Sequence, residues 1–194
     1  MKTMGRSRRA LLLVFIVLLF GACDGDTSET EEDVTTSMDS SASRPLFVID
    51  EIGVGPDQYV VVRNITDVSL SLAGFILCQE GDCVDAPAEA VSGGESVVLF
   101  GSGSPSDERD SYEIPGLPTL RPDDGELALF SNESADGANI HFYVEWGSTP
   151  HQTSGLAVDA GFWIEGSYAP TGANAVRLWR HPDTGLWLWD QSES

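Results

Sequence analysis

The sequence predicts an all-β fold, with the strands arranged as a two-layer β-sandwich. Short runs of apolar and β-branched residues recur from residue 46 to about residue 190. Clusters of Gly, Pro and Asp separate these runs and are typical of turns. No window repeats apolar residues with the period of 3.6 that an amphipathic helix requires. Many short strands joined by turns favour a sandwich over a parallel sheet covered by helices.

Residues 1–22 precede this region and are predicted to be a signal peptide. Four basic residues open the segment: Lys2, Arg6, Arg8 and Arg9. Residues 10–20 then form an unbroken apolar run, which is shorter than the about 20 residues that a bilayer span needs. A basic start followed by a short apolar run is typical of an export signal.

Residues 19–23, Leu-Phe-Gly-Ala-Cys, resemble the cleavage site of bacterial lipoproteins. Phe20 occupies a position where that family usually has Leu, Val or Ile. The resemblance implies that Cys23 becomes the mature amino terminus and carries acyl chains. Several chains hold a protein on a membrane far more firmly than one, so we expect an anchored protein of the cell envelope, facing the periplasm or the extracellular space. The alternative is ordinary signal-peptidase cleavage nearby, which would leave an unmodified thiol.

Charge is distributed unevenly about Cys23. Four of the ten Lys and Arg residues precede it, whereas all 31 Asp and Glu residues follow it. Six arginines against 31 acids give the mature chain a formal charge of −25. A field of this sign repels nucleic acids and anionic lipid headgroups. The sequence therefore predicts no nucleic-acid partner.

Residues 23–45 are predicted to be the lipidated cysteine and a disordered acidic linker. Beyond Cys23 the segment has seven acids and nine Ser or Thr residues. Such a composition buries too little apolar surface to offset the entropy cost of ordering the chain. The folded domain is therefore expected to span residues 46–190.

Ten strands are expected in this domain, at residues 46–52, 58–64, 68–72, 74–78, 83–84, 96–100, 126–130, 140–146, 176–179 and 186–189. Strand 140–146 alternates apolar and polar side chains, which predicts a buried face containing Trp146 and a solvated face. Residues 101–121 are expected to form a surface loop with a helical turn at 107–111. Residues 147–161 are expected to form a second loop.

Residues 47–77 (FVIDEIGVGPDQYVVVRNITDVSLSLAGFIL) resemble the opening of the lamin tail domain. That family has an I-x-E-I strand, an aromatic-hydrophobic strand ending near Arg-Asn, and an L-x-G-(W/F)-x-L element. Later matches extend the resemblance to about residue 147, and the Trp-containing tail at 160–163 is similar to that of bacterial members. Phe75 stands where the family usually has Trp. The resemblance implies an immunoglobulin-like sandwich with a binding or structural role, and it supplies no catalytic residues.

Cys78 and Cys83 are predicted to form a structural disulfide. If Glu80 and Gly81 make a two-residue turn, the two cysteines lie opposite each other within disulfide range, and an exported chain meets an oxidising compartment. The alternative is a reactive or metal-binding pair, but no second pair of ligands accompanies it. No calcium-loop pattern occurs. No metal and no cofactor are expected.

Trp179, Trp187 and Trp189 cluster on the predicted final hairpin and are candidate binding residues. Trp187 and Trp189 share one face of their strand. That face either packs in the core or, if uncovered, forms a patch on which sugars stack.

These features favour a membrane-anchored lipoprotein that presents a non-catalytic binding or scaffolding domain to a protein or glycan partner in the envelope. No G-x-S-x-G turn leads into a helix, and the three histidines fit surface polar positions, so no enzyme is expected. One alternative is a carbohydrate-binding module that uses the Trp-rich hairpin. The other is a small secreted hydrolase that uses a histidine.

Overall fold

The computed structural model describes residues 45–102, 109–131, 134–170, 172 and 175–191. The predicted signal peptide, Cys23 and the linker up to residue 44 lie outside these ranges. The described chain is mostly β-strand with one short helix, so the predicted all-β fold is confirmed. Its strands are β1 (Phe47–Gly53), β2 (Tyr59–Asn64), β3 (Leu70–Ser71), β4 (Phe75–Gln79), β5 (Asp82–Asp85), β6 (Ala90–Val91), β7 (Ser96–Phe100), β8 (Ser111–Glu113), β9 (Gly125–Ser131), β10 (Ile140–Trp146), β11 (Ala175–Arg180) and β12 (Trp187–Gln191). The helix α1 is Ser154–Asp159.

The strands form two larger sheets and one small ribbon. Six strands make the first sheet in the order β12-β11-β1-β2-β7-β8, and four make the second in the order β10-β9-β4-β5. Strands β3 and β6 pair as a separate ribbon. Neighbours are antiparallel except β7 and β8, which run parallel. Within the described ranges, no helix is long and apolar enough to cross a bilayer.

The two larger sheets share one hydrophobic core. Alternate residues of both contribute to it, including Ile49 of β1 and Leu127 of β9. Trp146 of β10 and Trp189 of β12 meet edge to face across the sheets, with 6.3 Å between ring centroids. Trp146 has no exposed surface, so its predicted core position is confirmed. Burial of each large apolar side chain contributes about 1.5–3 kcal/mol to folding.

Three short elements lie where the sequence predicts none. Strands β6 and β8 are absent from the predicted set, and β8 lies inside the predicted loop 101–121. The helical turn predicted at 107–111 is wrong for its described residues, because residue 111 begins β8. Helix α1 lies inside the predicted loop 147–161. Its six residues are too few to reveal a helical period.

The predicted solvated face of β10 is also wrong, since all seven residues of the strand are buried. Tyr143, on that face, belongs to a second core cluster with Ala157 of α1. Phe162 and Trp163, which follow the helix, pack against the same cluster. The four-stranded sheet is therefore covered on both faces, by the other sheet and by the segment around α1.

Candidate binding groove and buried carboxylate cluster

Strands β4 and β5 form the hairpin that carries the cysteines. Cys78 lies opposite Cys83 in the register, and Glu80 and Gly81 form the two-residue turn. Both turn residues have positive φ, +50° and +82°, as the type I′ turns favoured in hairpins require. The disulfide is present, with 2.02 Å between the sulfurs and 4.1 Å between the Cα atoms. The predicted structural disulfide is confirmed.

The turn of this hairpin contacts the segment that leads into α1. The backbone N–H of Glu80 donates to Glu126 Oε1 at 3.1 Å, and the Glu80 carboxylate pairs with His151 Nδ1. The second ring nitrogen of His151 lies 3.0 Å from the carbonyl oxygen of Trp146. One imidazole therefore links the hairpin turn to the end of β10.

Two carboxylates are buried beneath α1 and share one hydroxyl group. Glu126 is fully buried and Glu145 is 1% exposed. The hydroxyl of Tyr143 lies 2.9 Å from Glu126 Oε2 and 3.0 Å from Glu145 Oε2. Burial, together with the two carboxylates, raises the pKa of Tyr143 far above its ordinary value. Tyr143 has one hydroxyl hydrogen and can donate it to only one carboxylate at a time.

Other donors hold each carboxylate in place. Thr153 donates to Glu126 through its hydroxyl at 2.8 Å and its N–H at 3.0 Å. Glu145 accepts hydrogen bonds from Ser154 Oγ at 3.1 Å and from Trp163 Nε1 at 2.8 Å. Buried charges need such partners because desolvation without them is costly. The cluster therefore fastens α1 and Trp163 to the four-stranded sheet, a structural task that occupies its polar atoms.

Two of the three histidines do not occupy the surface positions that the sequence suggests. His141 and His151 are both buried, whereas His181 is partly exposed. Desolvation lowers the pKa of His141. Desolvation also acts to lower the pKa of His151, but its hydrogen bonds to Glu80 and Trp146 and the nearby acidic charges outweigh that effect and raise it above 6.5.

The polar partners of these imidazoles are backbone groups and acids. In the described part of the chain, none of the three is hydrogen-bonded to a serine hydroxyl. Across the same ranges, no group of three or more His, Cys, Asp or Glu side chains is placed to hold a metal ion.

The three candidate tryptophans lie on two faces of the final hairpin. Trp187 and Trp189 are half-buried and pack against the main core; Trp187 contacts Phe142 edge to face at 5.8 Å between centroids. Trp179 points to the opposite face, because its neighbour Leu178 is fully buried. It stacks on His181 with 5.8 Å between centroids and an angle of 29° between the rings. The three side chains therefore form no common platform.

Trp179 lines a groove of about 540 Å³ on the outer face of the six-stranded sheet. We call this the arginine groove. Strands β1, β2 and β11 and the turn after β11 supply its lining: Asp50, Glu51, Arg63, Arg177, Trp179, Arg180, His181, Pro182 and Gly185. Three of the six arginines that follow Cys23 thus meet in one place. In a mature chain of charge −25, this concentrates the scarce positive charge.

Two of these arginines are held by acids of the sheet. Arg63 donates to Asp50 from two of its nitrogens, Nε at 2.5 Å and Nη2 at 3.1 Å. Arg177 donates from Nε to Asp190 at 2.9 Å and lies 3.6 Å from Glu51. Hydrogen bonding to Arg177 lowers the pKa of Asp190. Such forked pairs fix the guanidinium planes, so the floor of the groove is an ordered polar surface.

Apart from Trp179, and His181 as one of the three histidines of the hydrolase alternative, the groove residues are missing from the candidates that the sequence suggests. The available signal was the scarcity of arginine after Cys23, with Arg63, Arg177 and Arg180 all in predicted strands or next to them. That signal does not reveal that β2 and β11, the strands that carry these arginines, lie on either side of β1.

Comparison with protein-family models finds no matching family, and comparison with curated proteins finds no matching relative. The geometry defines the class: an all-β domain with a disulfide-closed hairpin, a buried carboxylate cluster and a polar groove on one sheet.

Proposed function

We propose that this chain is a membrane-anchored lipoprotein of the cell envelope, and that its β domain is a non-catalytic binding module. The arginine groove is its binding surface. The observation that carries the proposal is that a rigid sheet presents an aromatic ring, an imidazole and a guanidinium together in one open groove. Ligand clefts typically have volumes of about 300–1,000 Å³, and the groove lies within that range.

The second concentration of polar groups supports a binding role over catalysis. The carboxylates of Glu126 and Glu145 accept hydrogen bonds from the protein's own side chains, which are those of Tyr143, Thr153, Ser154 and Trp163. A catalytic acid or base must instead reach a substrate proton. Because these groups hold the protein's own chain, we assign them to stability.

The proposed fold is an immunoglobulin-like sandwich of lamin-tail type. The common core of the six-stranded and four-stranded sheets supports it. So does the order of motifs between residues 47 and 147, in which the Arg-Asn pair ends β2 and the Trp of the Trp-Gly pair ends β10. In this proposal the two sheets are the scaffold and the groove is the part that meets a partner.

Membrane anchoring is supported by residues 19–23 and by the acidic, Ser/Thr-rich linker that follows. Intact mass spectrometry of the chain purified from membranes tests it. We expect acyl chains on an amino-terminal Cys23, and we expect Cys23→Ser to release the protein from the membrane fraction. An unmodified thiol, or a mature chain that begins elsewhere, would contradict the anchor.

The ligand that the geometry favours is a carbohydrate, because Trp179 places a flat apolar ring among groups that hydrogen-bond hydroxyls. This moves the sugar-binding role from Trp187 and Trp189, which pack against the core, to Trp179. Strength of binding would then come from stacking as well as from hydrogen bonds.

A glycan array probed with the full-length chain in detergent tests the binding function. We expect binding to envelope polysaccharides that Trp179→Ala abolishes. Arg121→Gln is the control, because Arg121 is an exposed residue that pairs with Asp123 outside the groove. Thermal unfolding of both variants shows whether they remain folded. Glycan binding that survives Trp179→Ala would remove the groove from the proposal.

A further inference from the structure

We propose that a cleft between the edges of the two larger sheets binds a small aromatic carboxylate, and that it is a second ligand site apart from the arginine groove. The cleft has a volume of about 290 Å³. Arg180 and His141 line it, together with a set of aromatic side chains. The aromatic set is Phe142, Tyr143, Phe162, Trp163 and Trp187. We call this opening the aromatic cleft.

The aromatic cleft lies where the two sheets end side by side. Strand β10 is an end strand of the four-stranded sheet, and β12 is an end strand of the six-stranded sheet. Phe142 of β10 and Trp187 of β12 meet edge to face there. Phe162 and Trp163, which follow α1, supply a further wall. Because these walls come from separate segments of the chain, the folded core holds them in position.

The side chain of Arg180 belongs to this cleft. Arg180 lies opposite Trp187 in the register of β11 and β12, and residues opposite each other point to the same face of a sheet. The side chain of Arg180 therefore leaves β11 on the face opposite to that of Trp179. Its Nε donates to the carbonyl oxygen of Gly185 at 3.3 Å, and Gly185 also lines the cleft.

The charge of Arg180 is not offset inside the cleft. In the described part of the chain, Arg180 forms no ion pair. Asp190, the acid of β12, is bonded to Arg177 and Trp179 on the other face. None of the described residues that line the cleft is Asp or Glu, in a chain with 31 acids. A guanidinium held at one nitrogen keeps its terminal donors for a two-oxygen acceptor such as a carboxylate.

His141 supplies a second donor. The backbone N–H of Leu46 donates to its Nδ1 at 3.2 Å, and desolvation lowers the pKa of His141. The ring is therefore neutral at neutral pH and carries its hydrogen on Nε2. No described residue accepts that hydrogen. Because Nε2 is not among the fully buried atoms that lack a partner, it keeps some exposed surface, and the cleft is the opening that His141 lines.

The walls and the donors together favour a flat apolar ring joined to one carboxylate. Aromatic side chains pair with a further ring in edge-to-face or offset geometry. An apolar cavity of about 150 Å³ accepts benzene, so the aromatic cleft has room for one or two fused rings and a carboxylate. Distant acids of the chain are screened beyond about 8 Å at physiological salt. A small anion inside the cleft therefore meets mainly the charge of Arg180.

The cleft fits a sugar less well than an aromatic acid. A sugar needs several acceptors for its hydroxyl hydrogens. The hydroxyl of Tyr143 is already bonded to two carboxylates outside the set of lining residues, and the indole N–H of Trp163 is bonded to Glu145. The described polar groups that remain, on Arg180 and His141, are donors. The cleft is thus suited to a ligand that is apolar except for one group of acceptors.

Isothermal titration of the purified full-length chain at neutral pH tests this inference with three probes. These are naphthoate, its uncharged counterpart naphthamide, and octanoate, each also titrated into the same buffer and detergent without protein as a blank. We expect naphthoate to bind at least about tenfold more tightly than naphthamide, which corresponds to about 1.4 kcal/mol, and more tightly than octanoate. Arg180→Gln should remove the preference for naphthoate over naphthamide, and Arg121→Gln should preserve it.

Two further variants locate the site. Phe162→Ala should weaken the binding of naphthoate and of naphthamide, because Phe162 forms a wall of the cleft. Trp179→Ala should leave naphthoate binding unchanged, because Trp179 lies on the opposite face of the six-stranded sheet. Thermal unfolding shows whether each variant remains folded. Arg180 is exposed, so Arg180→Gln decides the question even if Phe162→Ala fails to fold.

The outcomes separate this inference from the glycan-binding function. Equal affinity for naphthoate and naphthamide, or a preference that survives Arg180→Gln, overturns the role of Arg180. Tighter binding of octanoate than of naphthoate overturns the aromatic class. Loss of naphthoate binding in Trp179→Ala would place the ligand in the arginine groove and also overturn the inference. The glycan array tests the groove by itself, so either proposal can fail while the other stands.

Discussion

At the scale of single residues, the hydroxyl of Tyr143 is the contact on which two buried carboxylates depend. We expect Tyr143→Phe to lower the free energy of unfolding by about 2 kcal/mol, because a hydrogen bond to a buried charged group contributes about 1.5–3 kcal/mol. Urea denaturation measures the loss. Tyr112→Phe is the control, since Tyr112 is a half-buried tyrosine whose hydroxyl is bonded by no described residue. Equal stability of Tyr143→Phe and the parent chain would contradict the role assigned to the cluster.

The pKa values of the two buried histidines are expected to lie on opposite sides of 6.5. Contact with Glu80 raises the pKa of His151 in spite of desolvation, whereas desolvation lowers the pKa of His141. The stability that His151 contributes is fully present below pH 6.5, and it is lost as the pH rises through the pKa that His151 has in the folded state. The His141 contribution has the opposite sign, since its protonation weakens the fold as the pH falls below 6.5.

NMR titration of the imidazole signals measures both values. We expect His151→Gln to flatten the loss of stability above pH 6.5 and to leave the loss below it. A single shared midpoint near 6.5 for both rings would show that the protein environment acts on neither.

At the scale of elements, the disulfide hairpin supports more than its own turn. Replacing both cysteines, as Cys78→Ser with Cys83→Ser, should lower the free energy of unfolding by about 2 kcal/mol, because the bridge closes a very short loop. The turn residue Glu80 contacts Glu126 and His151. We therefore expect faster amide hydrogen exchange in α1 as well as in the hairpin.

Reduction of the parent chain provides the control, because the sulfur of Cys83 belongs to an exposed residue. Reduced parent and double variant should show the same exchange pattern. Faster exchange confined to the hairpin would separate the disulfide from the segment around α1.

The sequence predicts strands well where one face of the strand packs in the core. It predicts the environment of a strand poorly where other segments also cover the second face. The runs at β1, β2 and β7 are apolar and short, and each is a strand. The solvated face predicted for β10 is wrong because Tyr143 and Glu145 alternate with apolar residues and yet are buried beneath α1. Helix α1 buries Ser154 and Ala157, which give no apolar stripe for a sequence to reveal.

At the scale of the whole molecule, the candidate site depends on which strands are neighbours. Arg63 and Arg177 lie in β2 and β11, and β1 separates those strands in the sheet. No local pattern encodes that adjacency. The hairpin disulfide could be predicted because Cys78 and Cys83 lie only five residues apart, so turn geometry alone fixed their register. The sequence therefore predicts the local pair of cysteines but does not predict the groove.

The charge of the mature chain is a property of the whole molecule, and it makes stability depend on salt. The mature chain has a formal charge of −25, so its acidic side chains repel one another in the compact state. Raising ionic strength from 0.01 M to 0.15 M shortens the screening length from about 30 Å to about 8 Å. That change weakens repulsion between distant acids, while partly buried pairs such as Arg63 with Asp50 are screened less.

We therefore expect NaCl to raise the midpoint of thermal unfolding, by about 2–4 °C for each kcal/mol of repulsion removed. Differential scanning fluorimetry of the full-length chain across this range measures the change, and an uncharged osmolyte at matched osmolality is the control. A midpoint that falls with salt would mean that attraction in the exposed ion pairs exceeds the repulsion among the acids. The groove pairs, three of which involve Arg63 or Arg177, would then matter more to stability than the net charge does.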